Sequence, residues 1–313
     1  QEIRQSSPAM RAILVSSDKV PAGTISINSL IRQPKEKSYP TDYLQGKGFQ
    51  AYEPSLLFLT SGSTGLPKFV QFAAVSRLFH GSQLAEFLKL RHKDILAALA
   101  PAAGGPNIPV YFSAPLTGAK MVLMEHFEPE TALRLIEEEK VTVPCAVPAQ
   151  LAMMLESAKL QGYYNYKSVR VWYCPASALS SSVAKEVEEK IGSTVINGYG
   201  AVDFGGSTMP NLDDPQEVRF LTVGKPIKGT EFRMVDDNGR DVARGDVGEI
   251  WGKSASCAWG YFQDPEATSE AWTEDGWFKT GDLGKWDGHG NLVIAGRKKD
   301  MIIRGGQNIY PVE

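Results

Sequence analysis

The chain has 313 residues, which is enough to bury a sizeable core in one large domain or two. Its 42% hydrophobic and 22% charged residues are typical of a globular protein, and its net charge of −3 argues against nucleic-acid binding. No apolar run is long enough for a membrane span, and the polar N-terminus does not resemble a signal peptide. The widely spaced Cys145, Cys174 and Cys257 indicate neither a disulfide framework nor a zinc site, so a reducing cytoplasm is the expected location.

The first stretch with a chemical signature is the loop LTSGSTGLPK at Leu59–Lys68, which follows the apolar run Leu56–Leu59. Its glycines let backbone N–H groups approach an anion, its hydroxyls add donors, and Lys68 adds a positive charge. It is not a Walker loop, because only two residues separate Gly62 from Gly65. A solvated linker would need neither the lysine nor the preceding strand, so the pattern favours a polyphosphate cradle of another kind.

Further along, from Ala51 to about Gly200, short apolar runs alternate with amphipathic stretches, which predicts an α/β sheet covered by helices. Before this region, Leu30–Gly48 is predicted to be a mobile surface loop. Helices are predicted at Glu128–Lys140, Gln150–Leu160 and Ser181–Ile191, and strands at Val141–Val147, Val169–Tyr173 and Thr194–Asn197.

After about Leu221 the composition changes. Turn dipeptides such as Asn238-Gly239 separate short β-prone runs, which predicts an antiparallel, barrel-like portion. The β-prone runs are Glu231–Val235, Gly248–Trp251 and Leu292–Ile294.

Three later stretches follow the Ser/Gly loop in a fixed order: NGYGAVD at Asn197–Asp203, GWFKTGD at Gly276–Asp282 and GRKKDMIIRGGQNIYPVE at Gly296–Glu313. With TSGSTGLPK, they resemble the adenylate-forming superfamily of acyl- and aryl-CoA synthetases, peptide-synthetase adenylation domains and luciferases, over roughly Tyr52–Glu313. The resemblance implies an α/β fold, with a layered sheet-and-helix large domain and a β-barrel-like C-terminal portion. It divides the chain into an α/β nucleotide- and acid-binding portion (1–220), a β-rich portion (221–297) and a hinge (298–313). Since Gln1 is not methionine and the family's small C-terminal domain does not follow Glu313, a fragment of a longer protein is expected.

The family's reaction implies the substrates. A small-molecule carboxylic acid attacks the α-phosphate of ATP to give an acyl-adenylate and pyrophosphate, and the thiol of CoA or of a carrier protein's phosphopantetheine arm then accepts the acyl group. Positioning and charge neutralisation should supply most of the rate. Three functions stay open: an acid–CoA ligase, an adenylating enzyme that loads a carrier protein, and a degenerate nucleotide-binding relative without catalysis. The isolated fragment is expected to have low activity.

The resemblance assigns the nucleotide site residue by residue. Tyr199 would stack on adenine, and Asp282 would accept hydrogen bonds from both ribose hydroxyls; alone, they would be a core tyrosine and a turn aspartate. The residues assigned to ATP or AMP are Thr60, Ser61, Gly62, Ser63, Thr64, Gly65, Lys68, Ser177, Asn197, Gly198, Tyr199, Gly200, Asp282, Ile294 and Arg297.

Catalytic roles fall on Lys68, Asp203, Arg297 and Lys299, of which Lys299 matches the family's hinge. Asp203 stands where the family usually has glutamate and would hold Mg²⁺, with a water bridging the shorter arm. Val202 replaces a frequent threonine and so removes one hydroxyl contact to phosphate.

The acid pocket is assigned to Gly104, Gly105, Pro106, Pro175, Ala176, Gly198 and Gly206. Gly105 cannot supply the carboxylate with which amino-acid-activating relatives pair the substrate ammonium, so a free amino acid is disfavoured. A small, uncharged wall is predicted, which suits an apolar aryl or acyl acid. Loss of part of the large domain would expose sheet edge or core surface, which favours association such as a homodimer.

Overall fold

The computed structural model describes residues 14–15, 17–33, 38–43, 45–46, 48–60, 68–100, 105–157, 165–300, 302–304 and 307–309. The chain divides into two compact units, Gln1–Phe49 and Gln50–Glu313. In the first, strand β1 (Leu14–Val15) pairs in parallel with β2 (Ile25–Ser26), which leads into helix α1 (Ile27–Ile31). Ser26 caps that helix by accepting a hydrogen bond from the backbone N–H of Ser29 at 3.0 Å.

The second unit contains the remaining described elements. They are, in chain order, β3 (Pro54–Leu59), β4 (Phe69–Ala73), α2 (Ala74–Phe87), β5 (Ile95–Ala98), α3 (Ile108–Thr117), β6 (Lys120–Leu123), α4 (Pro129–Glu138), β7 (Val143–Cys145), α5 (Pro148–Glu156), β8 (Val171–Pro175), α6 (Ser181–Ile191), β9 (Thr194–Gly200), β10 (Ser207–Met209), α7 (Gln216–Leu221), β11 (Lys225–Pro226), β12 (Thr230–Val235), β13 (Gly248–Ser254), β14 (Gly260–Tyr261), α8 (Pro265–Ala271), β15 (Phe278–Trp286), β16 (Leu292–Arg297), β17 (Ile302–Arg304) and β18 (Gln307–Ile309).

A seven-stranded sheet in the order β11-β10-β9-β8-β7-β5-β6 forms the centre of this unit. Strands β9, β8, β7, β5 and β6 are parallel, and β10 and β11 extend the β9 edge in antiparallel orientation. Alternate residues of β8 serve opposite faces: Trp172 packs with buried residues of α4 and α5, whereas Tyr173 packs with residues of α2 and α3. Both faces are therefore covered by helices, as a parallel sheet requires.

A helix or strand of the predicted type is present at each of the predicted places in this region, although most of the ends differ. Residues 158–160 of the predicted helix Gln150–Leu160 lie outside the described residues. Helix α6 has the predicted bounds, with Val187 buried and Val183 and Ile191 packed beside it. Helix α4 begins at Pro129, and the Glu128 carboxylate caps it by accepting a hydrogen bond from the N–H of Thr131 at 2.7 Å. Ser180 stands at the N-cap of α6, but its hydroxyl lies 2.7 Å from that of Ser182 instead of capping the backbone.

The later strands form an antiparallel sheet in the order β12-β13-β15-β16, as the β-prone runs predict. Strand β11 still belongs to the seven-stranded sheet. Strand β14 does not join the four-stranded sheet formed by its neighbours in sequence. It pairs with β4 and completes a three-stranded sheet in the order β14-β4-β3. That pairing brings Tyr261 beside the start of β4, directly after Lys68.

After β16 the chain makes a 3₁₀ turn at Lys298–Asp300 and then the hairpin of β17 and β18. Within the described part of the chain, the helices are too short or too polar to cross a lipid bilayer.

Candidate functional site

A cavity of about 2310 Å³ opens where the seven-stranded, four-stranded and three-stranded sheets meet. The segments after the carboxyl ends of β8 and β9 line it, as expected for ligand sites of parallel sheets. Residues of β15, β16, α2 and α3 also line it.

Asp282 is held at the cavity by partners from two sheets. The Tyr199 hydroxyl donates to Asp282 Oδ2 at 2.9 Å, and Arg297 Nε lies 3.1 Å from Oδ1. Arg297 stands opposite Asp282 in the β15–β16 register. Burial raises the pKa of Asp282, while the Arg297 charge and the Tyr199 hydroxyl act in the opposite direction. The three predicted residues Tyr199, Asp282 and Arg297 therefore form one cluster, in which two donors hold a largely buried carboxylate.

The Thr280-Gly281-Asp282 turn explains how that carboxylate is aimed. The Thr280 hydroxyl donates to the carbonyl of Ile250 at 2.7 Å and accepts from the Asp282 N–H at 3.0 Å. Gly281 has φ +70°, a conformation that glycine adopts without strain.

Lys68, Asp203 and Tyr261 form a second cluster. The Lys68 ammonium lies 4.7 Å from the centroid of the Tyr261 ring. Burial raises the pKa of Asp203, and the Tyr261 hydroxyl and the Lys68 charge oppose that rise. The same surroundings raise the pKa of Tyr261, so its hydroxyl remains a donor to the carboxylate. The predicted Lys68 and Asp203 thus lie together, and the sequence reasoning missed Tyr261 between them.

The Asp203 carboxylate has the surroundings expected of a magnesium ligand. Its Oδ1 is buried and has no hydrogen-bond partner among the described residues. An orphaned, buried carboxylate oxygen is costly unless a cation or donor approaches it. Mg²⁺ is often held in proteins by one or two carboxylates together with water and substrate phosphates.

The Asn197 side chain holds the loop after β8 by hydrogen bonds. Its Nδ2 donates to the carbonyls of Cys174 at 2.6 Å and Ser177 at 3.1 Å. The loop passes through Ala176, which has φ +92° and is therefore in a region that residues with a Cβ rarely occupy. Asn197 thus holds Pro175, Ala176 and Ser177, all three of which line the cavity.

The predicted acid-pocket residues Gly105, Pro106, Gly198 and Gly206 also line the cavity. Gly105 lies against Val202: a Cβ there would come within 2.5 Å of Val202 Cγ2. Arg77 and His80 of α2 line the same cavity, and the small, uncharged wall of the acid pocket stays a prediction. The sequence offered one signal for them, two basic side chains on a helix whose neighbours are apolar.

Thr60 and Lys68 hold the two ends of the Ser/Gly loop, with the Thr60 N–H donating to the Lys68 carbonyl at 2.9 Å. Ser61, Gly62, Ser63, Thr64 and Gly65, together with Gly104, lie outside the described residues. Gly200 and Ile294 line the cavity. Lys299 is exposed on the turn after β16 and is not among the described residues that line the cavity. Its neighbour Lys298 forms ion pairs with Asp237 at 2.9 Å and with Glu249 at 3.0 Å. Its assignment as a hinge stays a prediction.

The family model for AMP-binding enzymes matches residues 3–262. The chain belongs to the AMP-binding enzyme family. Among curated proteins, it is similar to 2-hydroxy-7-methoxy-5-methyl-1-naphthoate–CoA ligase of Streptomyces carzinostaticus, with 30% identity over 100% of this chain and 57% of that protein.

Solved structures of similar proteins agree with this membership. An anthranilate CoA ligase in complex with anthranoyl-AMP superposes with a TM-score of 0.86 at 26% identity, covering 99% of this chain and 59% of that one. The O-succinylbenzoate CoA synthetase of Bacillus subtilis in complex with ATP and a magnesium ion gives a TM-score of 0.75 at 28% identity, covering 84% of this chain and 54% of that one. The chain therefore spans a little over half the length of these relatives.

Proposed function

We propose that the protein containing this chain activates a carboxylic acid with ATP, forming an acyl-adenylate and pyrophosphate, and transfers the acyl group to the thiol of CoA. The observation that carries the proposal is the pair of clusters in one cavity: Tyr199, Asp282 and Arg297 in one, and Lys68, Asp203 and Tyr261 in the other. Names of relatives that are CoA ligases support the choice of acceptor.

The first cluster suits the nucleoside part of ATP. The Asp282 carboxylate is a charged acceptor for ribose hydroxyls, and Arg297 and Tyr199 fix its orientation. Tyr199 is partly buried and its ring lies 6.0 Å from that of Phe232, so its position is set by packing before any ligand binds. Stacking of its ring on adenine is part of the proposal.

The second cluster suits the phosphates. Lys68 supplies a positive charge, and the free oxygen of Asp203 would hold Mg²⁺. The bound ion would neutralise the charge on the phosphate oxygens. In our proposal Tyr261 keeps Asp203 in place, and Lys68 balances the charge that the attacking carboxylate and the leaving pyrophosphate develop.

Acid-dependent exchange of labelled pyrophosphate into ATP tests the first step. The intact protein is assayed with a panel of aryl, alicyclic and fatty acids, alongside Lys68→Met and the control Lys225→Met, an exposed lysine of β11. We expect exchange with at least one acid, a loss of about 10- to 100-fold in Lys68→Met, as for the removal of a charge-assisted contact, and little change in the control. Absence of exchange with every acid, despite measurable ATP binding, would overturn the proposal in favour of a nucleotide-binding protein without catalysis.

The acceptor is tested separately. CoA is added to the protein with ATP and an acid that supports pyrophosphate exchange. This reaction should release AMP and yield an acyl-CoA thioester detectable by mass spectrometry. Exchange without thioester formation would instead favour a carrier-protein thiol as the acceptor.

A further inference from the structure

The end of strand β16 has few contacts within its own sheet. In the described part of the chain β16 is an edge strand that pairs with β15, and the register shifts between Leu283 and Gly284. Two pairs follow that irregularity, Leu283 with Gly296 and Asp282 with Arg297. Because strand ends open most easily, the last pair gains from any contact that holds the end of β16 in place.

The Arg297 side chain is not fixed by packing. It is 52% exposed, and its Nε lies 3.1 Å from Asp282 Oδ1. A long side chain with this exposure keeps much of its rotamer freedom, so the position of the guanidinium depends on where the backbone of β16 ends. A group that fixes the next residue in the chain therefore also limits the position of Arg297.

That next residue, Lys298, is tied to a strand with which β16 does not pair. Its Nζ lies 2.9 Å from Asp237 Oδ1 and 3.0 Å from Glu249 Oε2. Glu249 belongs to β13, and β15 lies between β13 and β16 in the sheet. The hydrogen bonds to Asp237 and Glu249 raise the pKa of Lys298, so the ammonium is charged at neutral pH. Lys298 thus links the end of β16 to β13 across the strand that carries Asp282.

The two acidic partners of Lys298 differ in burial. The Glu249 side chain is 13% exposed and lines the cavity, whereas the Asp237 side chain, in the turn after β12, is 88% exposed. Water screens the exposed pair, but a carboxylate with little access to water needs its counter-charge. Burial raises the pKa of Asp282, and the negative charge of Glu249 raises it further, so the two carboxylates repel each other. The ammonium of Lys298 offsets that repulsion.

We propose that Lys298 is a positioning residue for the nucleotide. Its ion pair with Glu249 holds the end of β16, so that Arg297 stays on the Asp282 carboxylate. The carboxylate then keeps the orientation in which it accepts hydrogen bonds from the ribose hydroxyls. This inference rests on the proposed binding of ATP at this cluster. Lys298 acts through Arg297 and Asp282 and does not touch the nucleotide.

Calorimetric titration of the intact protein with ATP and with 2′-deoxy-ATP, both with Mg²⁺, tests this role. The deoxynucleotide lacks one hydroxyl, so the ratio of its Kd to that of ATP reports how well Asp282 is oriented. We expect the wild type to prefer ATP by about 10-fold or more, as for a hydrogen bond to a charged group. Lys298→Met should lower this ratio by about 3- to 10-fold, the effect of weakening one such bond. Partial unfolding would instead lower the number of binding sites and leave the ratio unchanged.

Three further variants assign the effect to the ion pair with Glu249. Lys298→Arg keeps the positive charge and should retain the wild-type ratio. The matched control Asp237→Asn removes only the exposed partner and should retain it as well. Glu249→Gln removes the buried partner's charge with little change in shape and should lower the ratio. It therefore decides the question if Lys298→Met does not fold.

The wild-type ratio in both Lys298→Met and Glu249→Gln overturns the inference, as does a wild type that binds the two nucleotides equally. A ratio that falls as far in Asp237→Asn as in Lys298→Met contradicts the assignment to Glu249. The proposed acid activation fails on a different observation. Absence of pyrophosphate exchange with every acid, despite ATP binding, removes that function and leaves the comparison of the two nucleotides intact.

Discussion

Two aspartates of the cavity have opposite surroundings. Both oxygens of Asp282 have protein partners, so this carboxylate is oriented before a ligand arrives. Asp203 has one oxygen without a partner among the described residues. Residue type alone does not separate these roles, since both are aspartates whose pKa is raised by burial.

Asp282→Ala should weaken ATP binding by about 10-fold or more, because the ribose hydroxyls lose a charged acceptor and Arg297 loses its partner. Titration of ATP followed by calorimetry measures the change. Glu231→Ala, which removes an exposed carboxylate of β12, is the control and should bind ATP as the wild type does. Unchanged affinity in Asp282→Ala would remove Asp282 from the nucleotide site.

Tyr261→Phe should raise the Mg²⁺ concentration needed for half-maximal pyrophosphate exchange by about 10-fold, because the hydroxyl that holds Asp203 is lost. Contacts that support a metal ligand in this way contribute about 10- to 100-fold to metal affinity. A magnesium titration of the exchange rate measures this. The matched control is Tyr52→Phe, at a side chain that is 72% exposed. The same Mg²⁺ dependence in both variants would show that Tyr261 does not position Asp203.

Ala176→Gly should stabilise the fold by about 0.5–1 kcal/mol. A Cβ at positive φ costs about 1–2 kcal/mol, and the greater freedom of glycine in the unfolded chain offsets part of the gain. Ala176→Val should destabilise it, because a β-branched residue is strained further there. Denaturant unfolding of the three proteins measures the order, and a more stable valine variant would contradict it.

At the scale of elements, the parallel strands are joined at their starts by a partly buried ion pair. Arg170 Nε and Nη2 donate to Asp94 Oδ1 and Oδ2 at 2.9 and 3.1 Å, and the Thr142 hydroxyl donates to Oδ1 at 2.8 Å. Burial alone would raise the pKa of Asp94, but the hydrogen bonds from Arg170, Thr142 and the Arg91 N–H bring it below its ordinary value. This network connects the starts of β5, β7 and β8.

Asp94→Asn should lower the free energy of unfolding at pH 7 by about 2 kcal/mol, less than for a fully buried pair because the Arg170 side chain is 34% exposed. Because the folded pKa of Asp94 is lowered, its contribution is complete above the ordinary carboxyl pKa and is lost as pH falls through the folded pKa. Unfolding curves between pH 7 and 2 should therefore show a smaller acid-induced loss in the variant. Glu138→Gln, which breaks the exposed pair with Arg134, should change little, and an equal loss there would contradict the argument.

At the scale of the whole second unit, three sheets share one cavity. Tyr199 comes from β9, Asp282 and Arg297 come from β15 and β16, and Tyr261 comes from β14. A ligand that contacts all of them adds further contacts between the sheets. Ligand binding and folding stability are consequently linked.

ATP with Mg²⁺, at about 100 times its dissociation constant, should raise the melting temperature by about 5 °C or more. Binding at that concentration adds about 2.7 kcal/mol to the free energy of unfolding, and each kcal/mol raises Tm by about 2–4 °C for a protein of this size. Differential scanning fluorimetry with increasing ATP measures the shift, and GTP serves as the control nucleotide. In Asp282→Ala the shift should be smaller at equal ATP. An equal shift with both nucleotides would contradict a site that selects adenine.

Much of the secondary structure could be predicted because hydrophobic periodicity is a local property. Apolar spacing located α6 to the residue, and the turn pairs located β12 and β16. The element ends were less accurate: α5 begins at Pro148, two residues before the predicted Gln150, because a proline at the first helical position also starts a helix.

The sequence by itself determined the family and the alternating helices and strands, since both depend on short ordered segments and local periodicity. Only the tertiary structure decided which distant residues meet. The pairing of β14 with β4 places Tyr261 between Lys68 and Asp203, and the packing of α2 on α3 places Arg77 and His80 among the residues that line the cavity. Periodicity shows which face of a helix is buried, but the group that this face meets depends on long-range contacts that the local sequence does not encode.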